Sequence, residues 1–195
     1  LEGENSQYFR FNDSKLRQSG IIEDYAVTIS LFSGKKSLQS ATTVSSDIES
    51  SVINLKNEIQ ALRDPLSLIP ENEFTSFPDN FESIEMIKSG QLPDRNEILE
   101  ALMDVITRDY LTGVWTSGKI FRACSTSEGT NHWFEKDSFI FDFSLIDEKE
   151  NMVKVLFPGN DWDKDRFTAA FQEASSKLKL MNKPKMELKP GKYRV

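Results

Sequence analysis

The chain has one cysteine, Cys124, and one histidine, His132, in 195 residues. A single cysteine excludes an intrachain disulfide, so packing alone must hold the fold, and a reducing, cytoplasmic setting is the simplest inference. The same scarcity argues against a metal centre, because structural zinc takes four ligands and catalytic zinc three plus water. Glu135 and Asp137 could complete a set with Cys124 and His132 only on paper, since neighbouring strand positions alternate faces. No HExxH, HExxxH or GxxxxGK motif occurs. No apolar run approaches the roughly 20 residues that a membrane helix needs, so a soluble chain is expected. Positive charge is short as well: 24 Lys and Arg face 31 Asp and Glu, for a net charge of −7. That balance disfavours a nucleic-acid backbone as partner. The one basic stretch, Lys177 to Arg194, reads most simply as a solvated helix end and linker. The chain opens on Leu1-Glu2-Gly3-Glu4 without Met or an apolar signal segment. Its natural start is therefore not in view.

What is present suits a globular domain. Hydrophobic residues make up 38% and charged residues 28%, and a chain of this length can bury roughly 70% of its unfolded surface. The richest stretch is Leu111 to Ile146. Its β-branched and aromatic runs, broken at Ser117-Gly118 and Ser127-Glu128-Gly129, predict three strands in an antiparallel meander. Phe139, Phe141, Phe143 and Leu145 alternate with Ser138, Asp142 and Ser144, so one face is core. A second meander is expected earlier: Ser6 to Asn12, a short return at Lys15 to Gln18, Asp24 to Ser33 with Tyr25, Val27, Ile29 and Leu31 on one face, then Lys36 to Val44. Ser46-Asp47-Ile48-Glu49 has the form of a capping box. Ile48, Val52, Leu55, Ile59 and Leu62 then make an apolar helix stripe that should cover a sheet and end before Pro65. Asp94 to about Arg108 predicts a second helix on Ile98, Leu102, Val105 and Ile106. Asn151 to Phe157 predicts a strand, broken by Pro158-Gly159. Trp162 to Met181 predicts a third helix on Phe167, Ala170, Phe171, Ala174 and Leu178. These elements predict an α+β fold, antiparallel meander sheets covered by about three helices. Three parts follow: residues 1–63 as sheet and helix, 64–93 as a connection carrying Pro65, Pro70, Pro78, Pro93 and Gly90, and 94–195 around the central meander.

The succession Thr116-Ser117-Gly118, Phe121-Arg122, Ser127-x-Gly129, Trp133-Phe134-Glu135, Asp137-Ser138-Phe139 and Gly159-x-x-Trp162-Asp163 resembles the amino-terminal region of TldD/PmbA proteins. These are the zinc metallopeptidases also called modulators of DNA gyrase. Pro190-Gly191-Lys192-Tyr193-Arg194-Val195 resembles the segment that enters the family's carboxy-terminal catalytic domain. Thr126 departs from the pattern, which usually has Asn there, and the family's HExxxH is absent. The resemblance implies a non-catalytic amino-terminal domain that helps to enclose an extended peptide for proteolysis. It also implies a homo- or hetero-dimer with a TldD/PmbA-type subunit, and zinc, if any, in the full-length parent and not in this chain. The other reading is a self-standing protein- or peptide-binding scaffold module without proteolysis.

Candidate chemistry is sparse. Cys124 and His132 lie equally far from Glu128, so a symmetric hairpin would set them face to face as a thiol–imidazole dyad. An inert Cys and a structural His are the plainer reading, because no third orienting group can be named. Asp161, Asp163 and Asp165 read as a solvated helix start. No catalytic residue is assigned, and this chain is expected to be inactive alone. Ser127, Glu128 and Gly129 are the candidate peptide-binding residues, since glycine turns carried on a rigid sheet let another backbone come close.

Overall fold

The computed structural model describes residues 1–77, 82–105, 110–184 and 186–194. Pro78, Ile106, Arg108, Lys185 and Val195 lie outside the described residues. The chain starts with three strands, β1 (Glu2–Asn12), β2 (Lys15–Ser33) and β3 (Lys36–Thr43), then helix α1 (Ile48–Leu68) and strand β4 (Ile84–Lys88). Helix α2 (Arg95–Val105), strands β5 (Tyr110–Ser125), β6 (Asn131–Ile146) and β7 (Met152–Gly159), and helix α3 (Lys164–Leu180) complete it. The fold is α+β. The described strands form one seven-stranded sheet in the order β3-β2-β1-β5-β6-β4, with β7 also on β6. Every pair is antiparallel except β4 with β6. The two meanders are thus halves of one sheet, joined where β1 pairs β5.

Register decides which residues meet. Phe9 stands opposite Trp115, and Trp115 opposite Phe141, so the odd positions of β1, β5 and β6 share a face. Phe9, Phe11, Trp115, Phe139, Phe141, Phe143 and Leu145 are buried there beneath Ile98 and Leu102 of α2 and Phe167, Phe171, Ala174 and Leu178 of α3. Trp115 stacks on Phe139 at 4.9 Å and Phe141 on Phe143 at 4.5 Å. Such ring pairs add to the area each side chain buries. Helix α1 packs on β2 and β3 on the same side, its Glu58 accepting from Ser40 Oγ at 3.2 Å. Among the described residues no helix covers the opposite face.

Several expectations need correction. Leu111 to Ile146 is two 16-residue strands in one hairpin, not three strands. Ser117-Gly118 is no turn: Gly118 sits mid-strand at φ +157°, and a Cβ there would lie 2.2 Å from the Asn5 carbonyl oxygen. Its role is close approach of β1, a second reason for glycine inside a strand. The short return strand and Asp24–Ser33 are one 19-residue strand. The first helix is capped by Asp47, which accepts from Ser50 N at 3.1 Å, and not by Ser46. That helix continues through Pro65, whose missing N–H leaves one carbonyl without its helical donor on an exposed face. Its buried stripe is Ser51, Leu62 and Leu66, with Leu55 and Ile59 half-buried, while Ile48 and Val52 stay exposed. Within the expected connection the chain builds β4. Pro158 and Gly159 end β7 from inside it, as an edge strand allows.

Candidate functional site

The hairpin joining β5 and β6 carries the three candidate residues at its tip. Thr126 N donates to Thr130 O at 3.0 Å and Gly129 N to Thr126 O at 3.2 Å, closing the turn. Gly129 has φ +99° and open space where a Cβ would stand. The left-handed backbone, and not crowding, calls for glycine there. Ser127, Glu128 and Gly129 are all exposed. The base of the turn is firm: Thr130 is buried, and Ser125 Oγ donates to Asn131 Oδ1 at 2.7 Å.

Beside this hairpin lies the element that hydropathy period did not reveal. β4 runs parallel to β6, Ile84 opposite His132 through Lys88 opposite Lys136. Ser83 Oγ accepts from Asn131 N at 2.9 Å, tying the start of β4 to the hairpin base. All five residues of β4 are exposed, Ile84 at 53%, Met86 at 42% and Ile87 at 56%. No described strand pairs with its outer side. A cavity of about 410 Å³ opens where β4 meets the hairpin, lined by Ser83, Ile84, Glu85, Ala123, Asn131 and Trp133 together with Cys124, Ser125 and His132. The only sequence signal for β4 was Ile84-Glu85-Met86, too short an alternation to stand out among prolines.

Cys124 and His132 do stand directly opposite each other in the ladder. Cys124 is exposed, and no hydrogen bond joins its sulfur to the imidazole. Among the described residues no three of His, Cys, Asp and Glu come together as a metal would require. Toward the helical side, Lys119 pairs with Glu135, whose hydrogen bond holds the ammonium above its ordinary pKa. Asp137 Oδ2 accepts from Gly90 N at 3.2 Å and fixes the chain just past β4. Asp161 and Asp163 likewise serve backbone donors, of Gln91 at 3.0 Å and Arg166 at 3.0 Å.

The uncovered face has its own relief. Ser6, Gly118 and Ser138 align across three strands and floor a trough of about 450 Å³, with Ile120 and Lys136 on one bank and Thr116, Ile140 and Pro158 on the other. Val114 at 38%, Ile140 at 39% and Leu156 at 58% are exposed apolar residues, and register sets them on this face.

No protein-family model matches the chain, and no curated protein matches it in sequence. Solved structures do. TldE from Thermococcus kodakarensis superposes with a TM-score of 0.65 at 12% identity, over 91% of this chain and 42% of that one. A candidate modulator of a DNA gyrase from Thermotoga maritima gives 0.61 at 13%, over 90% and 42%. One from Bacteroides thetaiotaomicron gives 0.59 at 13%, over 91% and 44%. The chain spans less than half the length of each. Its fold is therefore the one that TldE and these candidate gyrase modulators contain, in agreement with the TldD/PmbA resemblance that its strands carry.

Proposed function

We propose that this chain is a non-catalytic domain of a TldD/PmbA-like protein that holds an extended peptide by strand addition along β4, for proteolysis carried out elsewhere in the assembly. The supporting observation is β4 itself: an edge strand whose outer side no described strand pairs, with three exposed apolar side chains. Natural sheets usually shield such an edge, and one left open is a template for another chain. A peptide laid there would be read mainly through its backbone, with alternate side chains on either face. The cavity at the hairpin base would take one of them, and the tip Ser127-Glu128-Gly129 would lie at the end of the path. The structural likeness supports the TldD/PmbA setting; a TldD/PmbA-type partner subunit, and zinc, if any, in the parent and not in this chain, belong to the same reading. A cytoplasmic setting belongs to the same reading.

The test uses a labelled extended peptide of alternating aliphatic and polar residues and follows its binding to the chain by fluorescence anisotropy. Binding should protect amides of Ile84–Lys88 from hydrogen exchange and should be lost when alternate peptide amides are N-methylated. Equal binding of the N-methylated peptide would rule out strand addition. Ser127→Ala with Glu128→Gln should weaken binding at least threefold with the thermal midpoint unchanged. If affinity and stability are both unchanged, the tip is only a connecting turn.

A further inference from the structure

The five side chains of β4 divide between two surroundings. Ile84, Met86 and Lys88 stand opposite His132, Phe134 and Lys136 and so share the uncovered face, whereas Glu85 and Ile87 stand opposite Trp133 and Glu135 and share the helical one. The edge thus carries one acid and one base, three residues apart and on opposite faces, with apolar side chains at its other positions. Both charges are exposed, and among the described residues neither has an ion-pair partner. Lys88 is placed at a cost: the residue opposite it in the ladder is Lys136, equally without a partner, and like charges directly opposite destabilise a sheet. A lysine can serve an edge strand simply by discouraging pairing. That role needs no second lysine behind the first, and it would not leave Ile84, Met86 and Ile87 open on the same strand.

We infer that β4 selects its peptide by charge, taking a segment that reads acid, apolar, apolar, base, apolar from its amino end and pairs antiparallel. This rests on strand addition along β4 and deepens it by naming the class of segment held. Opposite residues of paired strands place their side chains on the same face, close enough to interact. The acid of the segment then stands opposite Lys88 on the uncovered face, where its carboxylate offsets the repulsion between Lys88 and Lys136. Its base stands opposite Glu85 on the helical face. The two central apolar residues lie against Ile87 and Met86, and the last, opposite Ile84, falls beside the cavity at the hairpin base. The antiparallel direction is favoured because that ladder is the more stable per residue. Backbone hydrogen bonds supply the affinity in such additions, and the side chains supply the selection. Charges of opposite sign on the two faces also fix the register, since a shift of one residue takes the acid to the face of Glu85 and the base to the face of Lys88.

Two peptides of identical composition test it, one carrying Asp-Val-Val-Lys-Val and the other Lys-Val-Val-Asp-Val between the same serine flanks, each titrated with the chain by fluorescence anisotropy. The first should bind about fivefold tighter or more, because two attractive cross-strand pairs replace two repulsive ones. Added salt should narrow the gap, since exposed charges are screened. Glu85→Lys with Lys88→Glu should exchange the order of the two peptides; both side chains are exposed, and circular dichroism checks that the fold is kept. Equal affinity of the original chain for the two peptides overturns the charge selection, as does an order that the double variant leaves unchanged. Strand addition itself would still stand in either case if N-methylation of alternate amides abolished the binding of both peptides. If neither peptide binds, strand addition fails and the charge selection falls with it.

Discussion

At the scale of single residues, the sheet tolerates little at Gly118 and Phe141. A methyl at Gly118 would need β1 to retreat from β5, because the Asn5 oxygen and the Ser6 Cα both stand within 2.5 Å of where it would go. Gly118→Ala should therefore cost about 3 kcal/mol or more, a size reserved for backbone strain and overpacking. Urea unfolding measures it, and a cost under about 1 kcal/mol would show that the two strands part easily. Phe141 is fully buried between Phe11, Phe143 and Phe167. Phe141→Ala should cost about 3–5 kcal/mol by lost transfer energy and the cavity left behind. Asp147 offers a pH test. Hydrogen bonds from the Asn151 side chain, then from Asn182 and from the backbone of Asn151 and Lys149, lower its pKa from 3.8 to about 2. A carboxylate depressed on folding stabilises the native state above its unfolded pKa, and that contribution fades as pH falls from about 4 to about 2. Asp147→Asn should flatten this part of the stability profile, read as the urea midpoint against pH. An unaltered slope would show that other acids set it.

Among elements, the helices were the most legible from sequence and the edge strand the least. Amphipathic period placed Ile98, Leu102, Phe167, Phe171, Ala174 and Leu178 correctly, because each of those helices buries one side against a sheet. Period also put Ile48 and Val52 on the first helix stripe, yet both are exposed, since periodicity reports a side of the helix and not whether sheet lies beneath it. The extent of β5 was misread because Gly118 looks like a turn residue until the neighbouring strand is known. β4 escaped because it is short and exposed on both faces, so no alternation of burial marks it. Cys124 and His132 did fall opposite each other as counting from Glu128 suggested, whereas the edge position of β4 needed the sheet order. At the first helix, Asp47→Ala should cost about 0.5–2 kcal/mol, the range for a lost N-cap acceptor. Ser46→Ala should cost less than half as much, since Ser46 does not cap. Equal losses would restore the capping box.

For the whole molecule, the donor inventory predicts that purified chain holds no stoichiometric zinc, measured by plasma mass spectrometry. One zinc per chain that disappears with His132→Ala would contradict it. Among the described residues no helix is long and apolar enough to cross a membrane. The pairing of β1 with β5 also decides how this fold must assemble in time. Gln7 Nε2 donates to Ser117 Oγ at 3.2 Å across 110 residues of sequence, and the central seam of the sheet is made of such contacts. The β1-β2-β3 ribbon and the β5-β6-β7 ribbon can each form early from neighbouring chain, but neither buries Phe9 and Trp115 against each other until a very large loop has closed. Closing it spends chain entropy before the aromatic seam returns anything. Refolding should thus be slow, and its rate-limiting event should be the docking of two preformed ribbons. Gly118, where they touch backbone to backbone, is the place at which a substitution should slow folding more than it speeds unfolding.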